Sequence, residues 1–224
     1  MVSTRPGPPS SLTVEQIALA AVAVADEHGL AGLTMRRLAD ALGASAAGLY
    51  RYVASREVLL EEVVDVLVAG IEHPAPTGRW LADVVGVAHR QRALYVAHPW
   101  LPQAVAAVRR LGPRTLDHFE WGLAALAPVE APATAKMEAL ALVNGLAALF
   151  AGGGGTASGP QALSAMSPAR HPHLVAALGE AADSSAPPTD LFERALTSLL
   201  TGLLAATGVR PSRPAGGGRP PSSA

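Results

Sequence analysis

The chain of 224 residues contains no cysteine. That excludes disulfides, thiol nucleophiles and thiolate metal sites at once, and a reducing compartment fits without strain. Aromatic residues make up only 4% and charged residues 16%, whereas half of the chain is hydrophobic. Alanine and leucine dominate that half, a composition that favours helices over β-branched strands. No segment alternates apolar and polar residues with period two for long enough to specify a strand. Met1–Ser11 is polar and proline-rich and lacks the apolar stretch of a signal peptide. Apolar runs such as Leu140–Phe150 stop short of the ~20 residues that span a bilayer. The expectation is a soluble, cytoplasmic, all-α protein with no membrane partner.

Charge of one sign is scarce overall, since the net charge is −1. Its distribution says more than its sum. Between Thr34 and Arg56 stand four arginines, Arg36, Arg37, Arg51 and Arg56, against the single acid Asp40. The flanking segments carry Glu15, Asp26 and Glu27 on one side and Glu57, Glu61, Glu62 and Asp65 on the other. A small positive footprint is thus confined to one short stretch.

Start and stop signals delimit the elements. Thr13 with Gln16 three residues on is a capping box. Ile17, Ala21, Val24 and His28 follow at helical spacing, and Gly29 ends the run. Thr34 caps a short second helix with Leu38 and Leu42 on its apolar stripe and Gly43 at its end. Ser45 caps a third that includes Leu49, Tyr50 and Val53. Ser55 caps a fourth, whose buried stripe is Leu59, Leu60, Val63, Leu67 and Ile71. His73–Gly78, with two prolines, closes this unit. Further helices are expected near 79–97, 101–110, 113–126, 133–151 and 189–206, with prolines between them or in their first turns. Gly152–Pro160 reads as a loop, and the stretch to Pro188 holds one or two short helices. Residues 1–11 and 207–224 read as disordered tails. The units are therefore 12–72 and 73–206.

Two short helices joined by a tight glycine turn are what major-groove reading requires. The groove is about 12 Å wide and admits one helix, with another lying across it as a brace. Ala46, Ala47 and Gly48 leave the first turn of the reading helix slim, so its backbone can approach base edges. The linked motifs Leu33-Thr-x-Arg-x-Leu-Ala-x-x-Leu-Gly43, Leu49-Tyr-x-Tyr-Val53 and Ser55-Arg-Glu-x-Leu-Leu60 resemble the DNA-binding domain of tetracycline-repressor-type (TetR) regulators over about residues 13–71. The stretch Trp80–Leu126, with its His98-Pro99-Trp100 turn, is similar to the ligand-binding half of the tetracycline-repressor subgroup.

What the resemblance implies is specific. Arg36 corresponds to a DNA contact on the second helix and Thr34 to that helix's cap. Ser45, Ala46, Ala47 and Gly48 correspond to the first turn of the reading helix. Tyr50 corresponds to a tyrosine whose hydroxyl contacts phosphate, and Arg51 and Tyr52 to positions that reach bases or phosphates. Arg56 corresponds to a phosphate contact at the start of the fourth helix. The alanines depart from the polar readers common at their positions, leaving thymine-methyl contact, Arg36 and Arg51 to carry specificity. Arg37 is read as a surface charge, and Tyr50 without its surrounding pattern would pass for a core residue. The resemblance further implies a homodimer through helices near 133–151 and 189–206, a palindromic double-stranded DNA operator, and repression relieved by a small-molecule effector.

Candidate effector contacts come from scarce aromatics and polar residues of the second half: His89, Arg92, Tyr95, Trp100, His118, Trp121 and Asn144. Asn144 sits in a run that is apolar nearly all round, so its amide must find a ligand, the dimer mate or a neighbouring helix. On the last helix, Leu191, Ala195, Leu199 and Leu203 form one apolar stripe and Phe192, Leu196, Leu200 and Leu204 another, one for the core and one for a partner. Enzyme readings are weaker. Gly43-x-Ser45-x-x-Gly48 misses the esterase elbow by one residue and lacks its strand. Gly152-x-Gly154-x-x-Ala157 follows a helical run, not a strand. His171-x-His173 has no third metal ligand at suitable spacing. No catalytic residue, cofactor or metal is expected.

Overall fold

A computed structural model describes residues 12–152, 166–183 and 190–206. Both expected tails and most of the Gly152–Pro160 loop lie outside the described residues. α1 (Val14–Gly32) starts as the capping box requires: Thr13 Oγ1 accepts from the Gln16 amide, and the Gln16 side chain accepts from the Thr13 amide. Its helical backbone breaks at Gly29, where φ is +70°, a conformation that glycine adopts without steric cost. Ile17, Ala21 and Val24 are buried, whereas His28 points to solvent.

α2 (Met35–Ala41), α3 (Ala46–Leu49) and α4 (Arg56–Val68) each begin at a hydroxyl cap, supplied by Thr34, Ser45 and Ser55. Each of these oxygens accepts an amide of the first turn, that of Arg37, Gly48 and Val58 respectively. Gly43, at φ +60°, makes the tight turn between α2 and α3. Leu38, Leu49 and Val53 are fully buried beneath that turn.

α5 (Trp80–Ala97), α6 (Leu101–Ala107), α7 (Pro113–Ala125), α8 (Ala133–Ala151), α9 (Pro172–Asp183) and α10 (Leu191–Ala206) complete a chain of ten helices with no strand among the described residues. α6 stops at Ala107, shorter than the expected 101–110, because Val108 turns to extended backbone. α5 packs on α8, α8 on α10, and α4 on both α1 and α7. One hydrophobic core runs without interruption from Ile17 to Leu204. On α10 the stripe Phe192, Leu196, Leu200 and Leu204 is the buried one. α8 is long and apolar enough by length and composition to cross a bilayer. Here it lies against α5, α7 and α10 instead.

Candidate functional site

The capped pair α2–α3 presents an exposed reading face. Ala46 and Gly48 are half-buried and Ala47 is exposed, so the first turn of α3 has no bulky side chain on it. Tyr50 is 50% exposed, which excludes the core alternative for this residue. Tyr52, Arg51 and Arg36 stand out in solvent beside it.

Two of the four arginines of this region are otherwise engaged. Arg37 Nη1 donates to the Gly32 carbonyl at 2.6 Å. Arg56 Nη2 donates to Leu30 O at 2.9 Å and its Nε to Leu33 O at 3.3 Å. Both collect carbonyls left over at the end of α1, where a cation also meets the negative pole of the helix. The expected phosphate role of Arg56 therefore competes with a structural one. Arg37 is at the surface as expected, but bonded.

Between α4, α5, α6, α7 and α8 lies a cavity of about 250 Å³. Half of its wall is valine and leucine, with no charged side chain among the described residues that line it. Tyr95, His118, Trp121 and Asn144 line it as expected; His89, Arg92 and Trp100 do not. The reason is helical phase. On α5 the cavity face is Val84, Val87, Ala88, Gln91 and Tyr95, and positions 89 and 92 lie on the face toward α10. There the His89 ring meets Phe192 edge-on at 5.1 Å, and the Arg92 guanidinium sits 5.1 Å from the centre of the same ring. Trp100 is buried against α1, its indole N–H donating to Asp26 Oδ1 at 2.7 Å.

Sequence reasoning missed Gln91. Its Nε2 donates to Asn144 Oδ1 at 2.8 Å and to the Tyr95 hydroxyl at 3.3 Å, and that hydroxyl donates to Asn144 Oδ1 in turn. Asn144 thus finds its partners on a neighbouring helix while still facing the cavity. The signal was available: a glutamine four residues before a tyrosine on an otherwise apolar stripe. Burial pushes the Tyr95 hydroxyl pKa up despite the Gln91 bond.

A second polar group closes another side. His118 Nδ1 lies 2.7 Å from His73 Nε2, in the segment just after α4, and Trp121 donates to the Pro74 carbonyl at 2.7 Å. Burial, with a smaller contribution from the nearby His73, pushes the His118 pKa down to about 4. Burial chiefly, then Arg90, lowers that of His73, against an opposing pull from Asp117. Both imidazoles are therefore neutral at pH 7, and the cavity is uncharged. Elsewhere, His171 Nδ1 accepts from the Ser167 amide at 3.0 Å. Among the described residues no group of three or more acids and histidines could hold a metal. The Gly43–Gly48 stretch follows a helix, not the strand that an esterase elbow needs.

A slim reading helix braced by a second, joined by one long helix to a walled cavity, defines a helix-turn-helix regulator. The family model for bacterial regulatory proteins of the tetR family matches residues 17–63, and that for the tetracyclin repressor-like C-terminal domain matches residues 73–207. The chain belongs to the TetR family. It is 36% identical over 141 residues to the HTH-type transcriptional repressor DrrR1 of Streptomyces coeruleorubidus, covering 62% of this chain and 52% of that protein. It spans about half the length of the curated relatives it matches. Apo ActR from Streptomyces coelicolor superimposes with a TM-score of 0.75 at 27% identity, covering 90% of this chain and 99% of ActR. ActR in complex with actinorhodin superimposes with a TM-score of 0.74, again at 27% identity, over 89% of this chain and all of that one.

Proposed function

We propose that the chain is a homodimeric repressor that holds a palindromic operator and releases it when an uncharged small molecule enters the cavity. The observation that carries this reading is the continuity of α4. The helix starts beside the reading face at Ser55 and lends Val64 and Val68 to the cavity wall. On this reading residues 12–72 bind DNA through Thr34, Arg36, Ser45 to Gly48, Tyr50, Arg51 and Tyr52. Residues 73–206 bind effector through Gln91, Tyr95, His118, Trp121 and Asn144. The protein acts inside the cell, where its DNA is.

Dimerisation rests on α8 and α10. Met137, Leu142 and Leu149 on α8 and Leu191 on α10 are large apolar residues left at 41–53% exposure on two helices that pack together. Exposed apolar surface of this kind marks an association face. That DrrR1 is a repressor and that ActR has been solved with actinorhodin support repression and a small-molecule effector. The test is a titration of the purified protein with duplex DNA from its own promoter region, at several salt concentrations. A specific, salt-sensitive complex on an inverted repeat with half-sites ~34–36 Å or somewhat more apart is expected. Binding no tighter than to unrelated DNA would refute the reading.

A further inference from the structure

α7 begins without a cap of its own. Its N-cap is Gly112, which carries no side chain, and Pro113 follows. The cap comes instead from α4. Asp65 Oδ1 accepts from the Thr115 amide at 2.8 Å and from the Thr115 hydroxyl at 2.9 Å, and its Oδ2 accepts from the Arg114 amide at 3.3 Å. These are the first-turn amides that a capping side chain ordinarily takes. Gly112 is what admits the carboxylate: a Cβ there would lie 2.3 Å from Asp65 Cγ. Asp65 is only 5% exposed. The Arg114 guanidinium turns away from it to Glu15 on α1.

Both helices joined in this way line the cavity, and one of them also runs to the reading face. α4 leads to the reading face, and α7 gives Thr115, His118, Phe119, Trp121 and Gly122 to the cavity wall. Thr115 belongs to both, since it lines the cavity and donates to Asp65.

We propose that Asp65 is the positioning residue that couples the reading head to the cavity, by fastening α4 to the N-terminus of α7 so that the two move together. This rests on the regulatory reading given above. A buried carboxylate parted from its donors finds no water to replace them, so a displacement of α7 is passed to α4, and the reverse. The other crossings are less direct: His73–His118 and Pro74–Trp121 tie α7 to the segment after α4, beyond the end of the helix that runs to the reading face. Glu15–Arg114 is exposed on both sides, and such pairs hold weakly. Asp26 ties α1 to His98 and Trp100, at the turn into α6, without touching α7.

Coupling between two sites is reciprocal, so it can be read from the DNA side with no effector in hand. The full-length protein is given a DNA site that it has itself selected from a random duplex pool, and hydrogen exchange is followed in peptides containing Arg114 and Thr115. In the wild type, exchange there changes by about fivefold or more on DNA binding, the lower end of ordinary coupling. In Asp65→Gly combined with Gly112→Ser, no Cβ is left at 65 to meet the new one at 112, and the serine hydroxyl caps α7 locally. The response at 114 and 115 is then lost while DNA affinity holds. Asp26→Asn keeps the wild-type response. A full response in the double variant would overturn the proposal, leaving Asp65 as a cap and nothing more. A wild-type protein that binds its DNA with no change at 114 and 115 also overturns it. Failure to select any DNA overturns the regulatory reading itself, and the inference with it.

Discussion

The reading head and the cavity region satisfy their polar groups at different distances along the chain. In the head, Thr13, Thr34, Ser45 and Ser55 each cap an amide three residues away. Around the cavity the partners are far apart in sequence: Gln91 with Asn144, His73 with His118, Asp65 with Thr115 and Pro74 with Trp121. α5, α6, α7 and α8 all lack a side-chain cap within their own first turn. The head is thus assembled from local instructions, and the cavity exists only once distant helices have met. Local capping keeps the reading helix in register whatever lies behind it. Distant pairing makes the cavity depend on how its helices meet.

The widest break in this contrast comes from Phe192, which is fully buried and stacks with Phe150 at a ring-centre distance of 5.4 Å. It seats α10 against α5 and α8. Phe192→Ala should cost about 3–5 kcal/mol in a urea titration, the usual range for emptying a buried phenylalanine. A loss below about 1 kcal/mol would mean that α10 is held by something else.

The next largest effect is one of pH. His118 titrates near 4 in the folded protein and near its ordinary 6.5 when unfolded. Between those values the unfolded chain takes up a proton that the folded one refuses, so acid favours unfolding. This contribution, about 3 kcal/mol, is fully present above pH 6.5 and is lost as the pH falls toward 4. His73, lowered for the same chief reason, acts in the same direction. Melting curves at pH 7.5 and 4.5 should therefore converge in part for His118→Gln. Equal acid sensitivity in that variant would remove the buried neutral pair as its source.

What was legible in the sequence follows the same division. All four caps of the head, the turn at Gly43 and the buried Leu38 and Leu49 could be read because each rests on residues a few positions apart. Tyr95, His118, Trp121 and Asn144 were legible as scarce polar or aromatic residues in an apolar half. Their neighbours His89, Arg92 and Trp100 carry the same chemistry and lie elsewhere. Only the phase of α5, fixed by its packing on α8 and α10, separates position 91 from positions 89 and 92. Gly112 gave no hint of a cap, because the capping carboxylate stands 47 residues earlier.

A smaller change sharpens the local side of the contrast. Thr34→Ala should cost about 1 kcal/mol, and Thr34→Asn close to nothing, since asparagine caps as well as threonine does. Chemical denaturation of the three proteins decides it. If asparagine fails to restore stability, the Thr34 oxygen does more than accept the Arg37 amide.

The smallest expected difference concerns which arginines touch DNA. Each phosphate neutralised steepens the dependence of log affinity on log salt by about 0.9, so removing one arginine contact from each half of a dimer flattens it by about 1.8. Arg51 is exposed and Arg56 is bound to the carbonyls of Leu30 and Leu33. Arg51→Ala should therefore flatten the salt dependence by that amount and leave the melting temperature where it was. Arg56→Met should do the opposite, costing about 1 kcal/mol of stability as two helix-end carbonyls lose their donor, with the salt dependence unchanged. Equal flattening in both variants would show that Arg56 lets go of α1 when phosphate is present. The end of α1 would then be a place where DNA competes with the fold for one guanidinium.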